Sequence, residues 1–350
     1  MTGLRLHLLV PGLLGPLSRQ AQDPGFVWPV APALERLLAR SRADPDNDSL
    51  GTCLFRLFGL TLPPGGELPS AALCRLGEGL AADAGCWMHA DPVHLHADRD
   101  RVLLFDARHL ELDMEQARRL ADEVEAHYAE DGWRLEMVRP ERWYLRLPEP
   151  PALRTHSLEA VVGRHIEPYL PEGEAARNWR FRLNETQMLL HAAAVNQERA
   201  ATGLRPVNGL WYWGAGVLPP TPLEAPFTAV WSDDPLSRGL AQHAGLEPRP
   251  QPRDLAQLLE VAAGGELLVL LDRLQGSLLD GDLDGWRRDV ESLEAEWIQP
   301  LLSALGRGPL ERLSLYPLAG RTYRSTPGAM RRFWRRRRPL RALVAESADS

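Results

Sequence analysis

Two apolar runs constrain this chain more than any other feature. "LHLLV" (6–10) and "LLVLL" (267–271) are apolar nearly without interruption. Strands built from them need cover on both faces. Further runs at 101–107, 142–147, 208–213, 227–232 and 312–317 also read as strands. Helical patterns fall between many of them. Residues 113–133 place Ala117, Leu120, Val124 and Tyr128 on one stripe, and residues 284–306 do the same with Trp286, Val290, Leu293, Trp297 and Leu301. Pro300 is expected to kink or break the second of these helices. A third helix is predicted over 183–203, capped by Asn184 and stopped by Gly203. Strand–helix alternation through the second half implies a parallel α/β sheet with covered faces. The stretch 85–185 differs: half-alternating strands surround one amphipathic helix, as in a smaller α+β unit. "LPEPPAL" (147–153) reads as a linker or crossing.

Charge and cysteine content narrow the function classes. The 350 residues carry a formal charge of −7, which argues against general nucleic-acid binding. All 40 basic residues are arginine. Cys53, Cys74 and Cys86 have no CxxC spacing, so buried, reduced thiols and a cytoplasmic location are expected. The apolar run near the N-terminus is too brief to span a membrane, and Pro11 breaks it. It reads as the first buried strand.

The densest collection of possible ligands is "WMHADPVHLHADRD" (87–100), with three histidines and three aspartates in fourteen residues. Imidazole and carboxylate suit Zn, Mn or Fe. His94 and His96 share a strand face. The alternative is a turn at Asp91-Pro92, a strand "VHLHA" and a second turn at "DRD". "YWGAG" (212–216) reads as a glycine turn after a strand, without the lysine of a phosphate-binding loop. Ser70 precedes a helical run, so it is either an N-cap or a nucleophile set among backbone amides. His156 and His165 flank a predicted helix. Six arginines between 331 and 338 enclose Phe333 and Trp334, and this basic tail (331–350) is expected to fray.

Taken together, these segments resemble the archaeal-type cofactor-independent phosphoglycerate mutases. The core of the resemblance is "HAAAVNQERAATGLRPVNGLWYWGAGVLPPTPLEAPFTAVWSDDPLSRGLAQHAGLEP", beside that family's "aN.iWlWGqG…P" and "vdLirGia..aGm". Weaker similarity covers 155–173, 105–124 and 32–41. The chain is also similar to a proteobacterial branch of the family whose members carry the label regulatory protein RpfE. The resemblance implies an α/β fold, an alkaline-phosphatase-like parallel-sheet core with an inserted smaller α+β domain. It assigns 1–84 and 186–330 to a discontinuous core and 85–185 to the insertion. It also implies two divalent metals that activate a serine, with phosphoryl transfer through that serine.

This sequence departs from the family at nearly every ligand. Pro11 stands where the first strand should end in a metal-binding aspartate. Leu68 and Pro69 take the positions of the serine and aspartate in the nucleophile motif, with Ser70 two residues off. Gln275 and Leu279 replace an aspartate and a histidine, and Asp282 is the residual match. Tyr316 and Pro317 replace a late Asp-His pair. His156 is kept, but Ser157 follows it in place of aspartate.

The resemblance therefore predicts a phosphoglycerate-mutase-like protein without two-metal transfer, acting in binding or regulation. Its expected partner is a phosphorylated small metabolite or a protein, with no membrane and no nucleic acid. His89, Asp91, His94, His96, Asn208 and Trp213 are the candidate ligand-binding residues, and no cofactor is expected. One alternative is an active mutase or phosphatase with relocated ligands, using Ser70 and His156 with Mn or Mg, and a third reading is a nucleic-acid or membrane adaptor working through the arginine tail.

Overall fold

The computed structural model describes residues 3–15, 25–60, 67–262 and 264–348. In chain order the strands are β1 (Leu4–Leu9), β2 (Arg42–Pro45), β3 (Cys86–Asp98), β4 (Arg101–Asp106), β5 (Arg134–Arg139), β6 (Arg142–Leu147), β7 (Gly209–Gly216), β8 (Ala229–Trp231), β9 (Gly265–Leu270), β10 (Leu310–Tyr316) and β11 (Arg321–Ser325). The chain divides into two compact units, Met1–Leu60 with Leu223–Ser350, and Thr61–Pro222. The second unit is wider at both ends than the expected 85–185.

The first unit carries a six-stranded sheet in the order β2-β11-β10-β1-β9-β8. β1 pairs in parallel with β9 and β10, and β8 in parallel with β9, while β11 and β2 join antiparallel. The two apolar runs lie side by side at its centre, as their composition requires: Leu6, Leu8 and Leu9 of β1 and Leu267, Leu268 and Val269 of β9 are fully buried.

The predicted helix over 284–306 forms as Leu283–Leu293 and Gln299–Arg307, joined by a π-helical turn at Glu294–Ile298. Pro300 thus sits in the first turn of the second piece, where its missing N–H costs no hydrogen bond. The π turn also aims a buried carboxylate. The helix Pro32–Arg40 starts after Ala31, which has no capping side chain. Glu294 supplies the cap: its Oε1 accepts from Ala33 N (2.7 Å) and its Oε2 from Leu34 N (2.9 Å). Glu294→Ala would orphan two buried N–H donors at a positive helix end. Urea denaturation is expected to show a loss of about 2–3 kcal/mol. A loss within error of zero would mean that water caps this helix equally well.

The tail does not fray over its described length; residues 349 and 350 lie outside the described residues. The helix Leu340–Ala348 docks through Leu340 and Val344, which are buried in the core of this unit. Glu35 accepts from Leu340 N at 3.0 Å.

The second unit holds an antiparallel sheet, β4-β3-β6-β5, with β7 also paired to β3. The run at 208–213 therefore belongs to this sheet as β7, and not to the parallel one. β3 runs unbroken through Pro92, so the turn expected at Asp91-Pro92 does not form. Pro92 pairs with β7 on one side. On the other side β6 pairing ends at His89 and β4 pairing begins at Val93. The proline sits in that gap, where no partner requires its N–H.

Two helix expectations also change here. The helix predicted from Asn184 begins at Ala176, runs to Ala192 and resumes at Ala194–Ala201. "YWGAG" is strand and not turn, because Gly214 (φ +67°) lies inside β7 beside a register shift opposite Trp87–His89.

Candidate functional site

Strand alternation divides the histidine cluster between two faces of β3. His89 and Asp91 point inward, 2% and 4% exposed. His94 is half-buried and His96 exposed on the other face. His94 Nδ1 donates to the Pro206 carbonyl (2.9 Å), and the His94 and His96 rings flank Phe105. His89 and Asp91 cannot join His94 and His96 on one ion, because residues of opposite parity face opposite ways. Asn208 braces the sheet: its Oδ1 accepts from Leu95 N (2.7 Å) and its Nδ2 donates to Leu95 O (2.9 Å).

His89 and Asp91 instead enter a buried polar group with Trp213. The Trp213 ring stacks on His89 at 3.9 Å, and its Nε1 donates to Asp91 Oδ2 at 2.7 Å. The Tyr144 ring lies 5.1 Å from His89, and its hydroxyl donates to Glu78 Oε2 at 2.9 Å. Arg142 closes an ion pair with Glu78. Burial, helped by the Arg142 charge, holds His89 well below the usual imidazole range, so the ring is neutral. Burial pushes the Asp91 carboxyl up to about 7 against the opposing Trp213 hydrogen bond.

Ser70 arrives from the other side. It is the first residue of the helix Ser70–Gly77, follows Pro69 and is 4% exposed. Two glycines of β7, Gly214 and Gly216, permit this approach. A Cβ on Gly214 would stand 2.0 Å from Ser70 Oγ and 3.3 Å from His89 Cδ2, and one on Gly216 would meet Pro69 at 2.5 Å. Ser70 Oγ and the His89 ring thus converge over Gly214. Among the described residues, neither that hydroxyl nor either His89 ring nitrogen has a hydrogen-bond partner. Buried polar groups are normally paired, so three orphaned atoms at one place require an explanation. Beside them Gly214 N donates to Glu67 Oε1 and to Thr155 Oγ1, both at 3.0 Å. Burial raises the Glu67 carboxyl against the opposing Thr155 hydrogen bonds.

His156 does not join this group through its ring. Its Nδ1 donates to the Tyr169 carbonyl (3.3 Å), while its own carbonyl accepts from Trp211 Nε1 (2.8 Å). Glu67, Glu78, Arg142, Tyr144 and Thr155 were not marked by any local pattern. Glu78 and Arg142 lie 64 residues apart. A cavity of about 570 Å³ opens in the same unit, lined by Gly85, Cys86, Arg134, Arg146 and Val217 among others. Arg134 and Arg146 face each other across the β5–β6 pair.

The two-metal centre that the resemblance implies would stand at the strand ends of the first unit. Val10, Leu13 and Leu14 are fully buried apolar residues where β1 ends, and Pro11 stands among them. Tyr316 ends β10 and Pro317 follows it. The carboxylates that follow β9 and β8 are Asp272, Asp233 and Asp234, and Asp234 is engaged as the cap of the helix Pro235–His243, accepting from Ser237 N at 2.8 Å. Partial desolvation raises Asp272, and the Asp233 charge adds to it. Asp282 caps the helix Leu283–Leu293, accepting from Gly285 N at 2.8 Å. Among the described residues no three His, Cys, Asp or Glu side chains converge as a metal would require. These few carboxylates do not fit a pair of hard cations, which need six or more oxygen or nitrogen ligands between them.

Fold and site together define an α/β protein with an alkaline-phosphatase-like parallel sheet and a separate antiparallel sheet. The PH0037 protein from Pyrococcus horikoshii has a similar fold, with a TM-score of 0.52 and 14% identity over 90% of this chain and 82% of that one. The 2,3-bisphosphoglycerate-independent phosphoglycerate mutase of Methanothrix thermoacetophila is 26% identical over 174 residues, 45% of this chain and 44% of that protein. The 2,3-bisphosphoglycerate-independent phosphoglycerate mutase 2 of Methanothermobacter thermautotrophicus is 32% identical over 168 residues, 44% of this chain and 39% of that protein. The matched stretches thus span less than half the length of these curated relatives. No family model matches the chain. No helix among the described residues is long and apolar enough to cross a membrane.

Proposed function

We propose that this chain is a phosphoglycerate-mutase-like protein that binds a phosphorylated small metabolite in a regulatory role in the cytoplasm, without two-metal phosphoryl transfer. The observation that carries this reading is the convergence of Ser70 Oγ and the His89 ring, both buried and both unpartnered. A globular interior keeps such groups unpaired at a cost, and functional sites are where that cost is found. Two guanidinium groups of the same unit, Arg134 and Arg146, line its cavity and supply charge for an anion. The distant mutase relatives make a phosphorylated acid the first ligand to try.

A second reading has one observation in its favour. Ser70 opens a helix of eight residues, where backbone amides would stabilise an attacking or departing anion. In that case the protein is a phosphomutase or phosphatase with relocated ligands, dependent on Mn or Mg.

One set of measurements separates the two. Metal-stripped protein is assayed for phosphoglycerate mutase activity with Mn, Mg, Co and Zn restored in turn. Thermal unfolding is followed with and without 3-phosphoglycerate. The binding reading expects no turnover, and a melting temperature raised by 3-phosphoglycerate in the wild type but not in Ser70→Ala or His89→Phe. Without ligand both variants are expected to be more stable by about 1–3 kcal/mol, because each removes an unpaired buried polar group. Metal-dependent turnover lost in Ser70→Ala would establish the second reading. Neither turnover nor stabilisation would remove the metabolite and leave a protein as the partner.

A further inference from the structure

The segment "MRRFWRRRRPL" (330–340) is neither a tail nor part of the site described above. It is a loop held at both ends. The helix Pro327–Met330 precedes it, and Arg40 donates to the Met330 carbonyl at 2.6 Å. The docked helix from Leu340 follows it. Midway, Arg335 donates to the Ser41 carbonyl at 2.8 Å. Between these anchors Phe333 is 79% exposed and Trp334 is 67% exposed. Water-facing aromatic residues side by side mark a contact surface more often than chance placement does.

The charges around them point the same way. Arg338 pairs with Glu346. Arg331, Arg332, Arg335, Arg336 and Arg337 have no acidic partner among the described residues. The chain as a whole carries −7, so this loop is a local positive island on an acidic protein.

We propose that this loop binds the surface of an anionic phospholipid bilayer, with Phe333 and Trp334 entering the interface and the free arginines on lipid phosphates. Stable peripheral attachment needs two signals, an apolar insertion and a polybasic patch. This loop carries both within eight residues. Aromatic side chains favour the headgroup level, and clusters of four to eight basic residues are what anionic leaflets attract. Single-stranded nucleic acid is the rival polyanion, and it needs open ring faces along a basic groove. Here the two rings pack edge to face at 5.4 Å, so they form one apolar knob and not a pair of free stacking platforms.

The test is co-flotation of the 350-residue chain with vesicles of phosphatidylcholine, with and without phosphatidylglycerol. Binding is expected to phosphatidylglycerol-containing vesicles and not to pure phosphatidylcholine. It should weaken steeply as salt rises from about 0.1 M to about 1 M, where the screening length falls from about 10 to about 3 Å. Arg336→Gln/Arg337→Gln should lower the partition coefficient roughly fivefold per charge removed. Phe333→Ala/Trp334→Ala should lower it at least tenfold, with an unchanged melting temperature because both side chains face water. Equal binding to both vesicle types, or full binding by the aromatic double variant, would overturn the proposal. So would tight binding of a labelled single-stranded oligonucleotide that depends on Phe333 and Trp334 without vesicle binding. The salt dependence of the wild type tests the electrostatic half even if a variant folds poorly.

Discussion

Wild-type protein is expected to lose on the order of 4 kcal/mol of stability, relative to Asp91→Asn, as pH rises from about 4 to about 7. The carboxyl of Asp91 is 4% exposed and titrates near 7 in the folded chain, against 3.8 when free. Burial is the main cause, and Glu159 adds like-charge repulsion. The Trp213 and Trp143 hydrogen bonds and the Arg142 charge recover only part of the loss. Between those two pH values the unfolded chain has released the proton and the folded chain still holds it. Folding is then proton-linked, and stability falls with rising pH until the folded carboxyl also ionises. Above about 7 the difference levels off, and below about 4 it vanishes. Asparagine keeps an acceptor for Trp213 Nε1 and removes the titration. Paired urea titrations of both proteins across this range measure the difference directly. A constant difference would mean that the carboxyl is solvated and its pKa ordinary. His89 is also linked to folding in this window, because the unfolded imidazole gains a proton below about 6.5 while the buried ring stays neutral, but this contribution is common to both proteins and cancels in the difference.

Trp286→Ala is expected to cost about 3–5 kcal/mol, the range for deleting a fully buried tryptophan. Its ring is 0% exposed in the core of the first unit and meets Trp28 edge to face at 6.3 Å. Its Nε1 donates to the Gly12 carbonyl at 2.9 Å. Gly12 has φ +82°, so this hydrogen bond pins a turn that most residues could not adopt. The turn follows β1, where the resemblance places a metal-binding aspartate. In this chain the same position is held by an indole and an apolar core. Trp286→Phe separates the two contributions: it keeps most of the packing and orphans one carbonyl, at about 1–3 kcal/mol. Urea unfolding monitored by circular dichroism gives both values. A loss below 1 kcal/mol for the alanine variant would show that the loop refills the space.

Much of the architecture was legible because it rests on local patterns. The runs 6–10 of β1 and 267–271 of β9 are apolar nearly throughout, and only a covered, central position in a sheet satisfies that composition. The helix at Met114–His127 follows from its four-residue stripe and from Asp113, which caps it by accepting from Gln116 N. The similarity over 184–247 also reached the fold. The histidine stretch was legible only in part. Parity alone separates His89 and Asp91 from His94 and His96, but Pro92 argued for a turn that would have cancelled the parity. That proline is tolerated because two partner strands happen to end on either side of it, a fact about pairing that its neighbours in sequence do not carry.

The candidate site shows the same division. Ser70, His89, Asp91 and Trp213 stood out by residue type, yet nothing local joined Ser70 to His89. Their meeting depends on Gly214 and Gly216 lacking side chains where the helix end crosses β7. Glu294 caps a helix some 260 residues away, and Arg142 meets Glu78 from another strand. By itself the sequence determined which segments must be buried, because hydrophobic periodicity is a local property. Which polar groups were carried in with them, and which were left without partners, was decided by the tertiary structure. Hydrogen bonds and ion pairs act only at contact, and contact between distant segments is set by the packing of the whole unit.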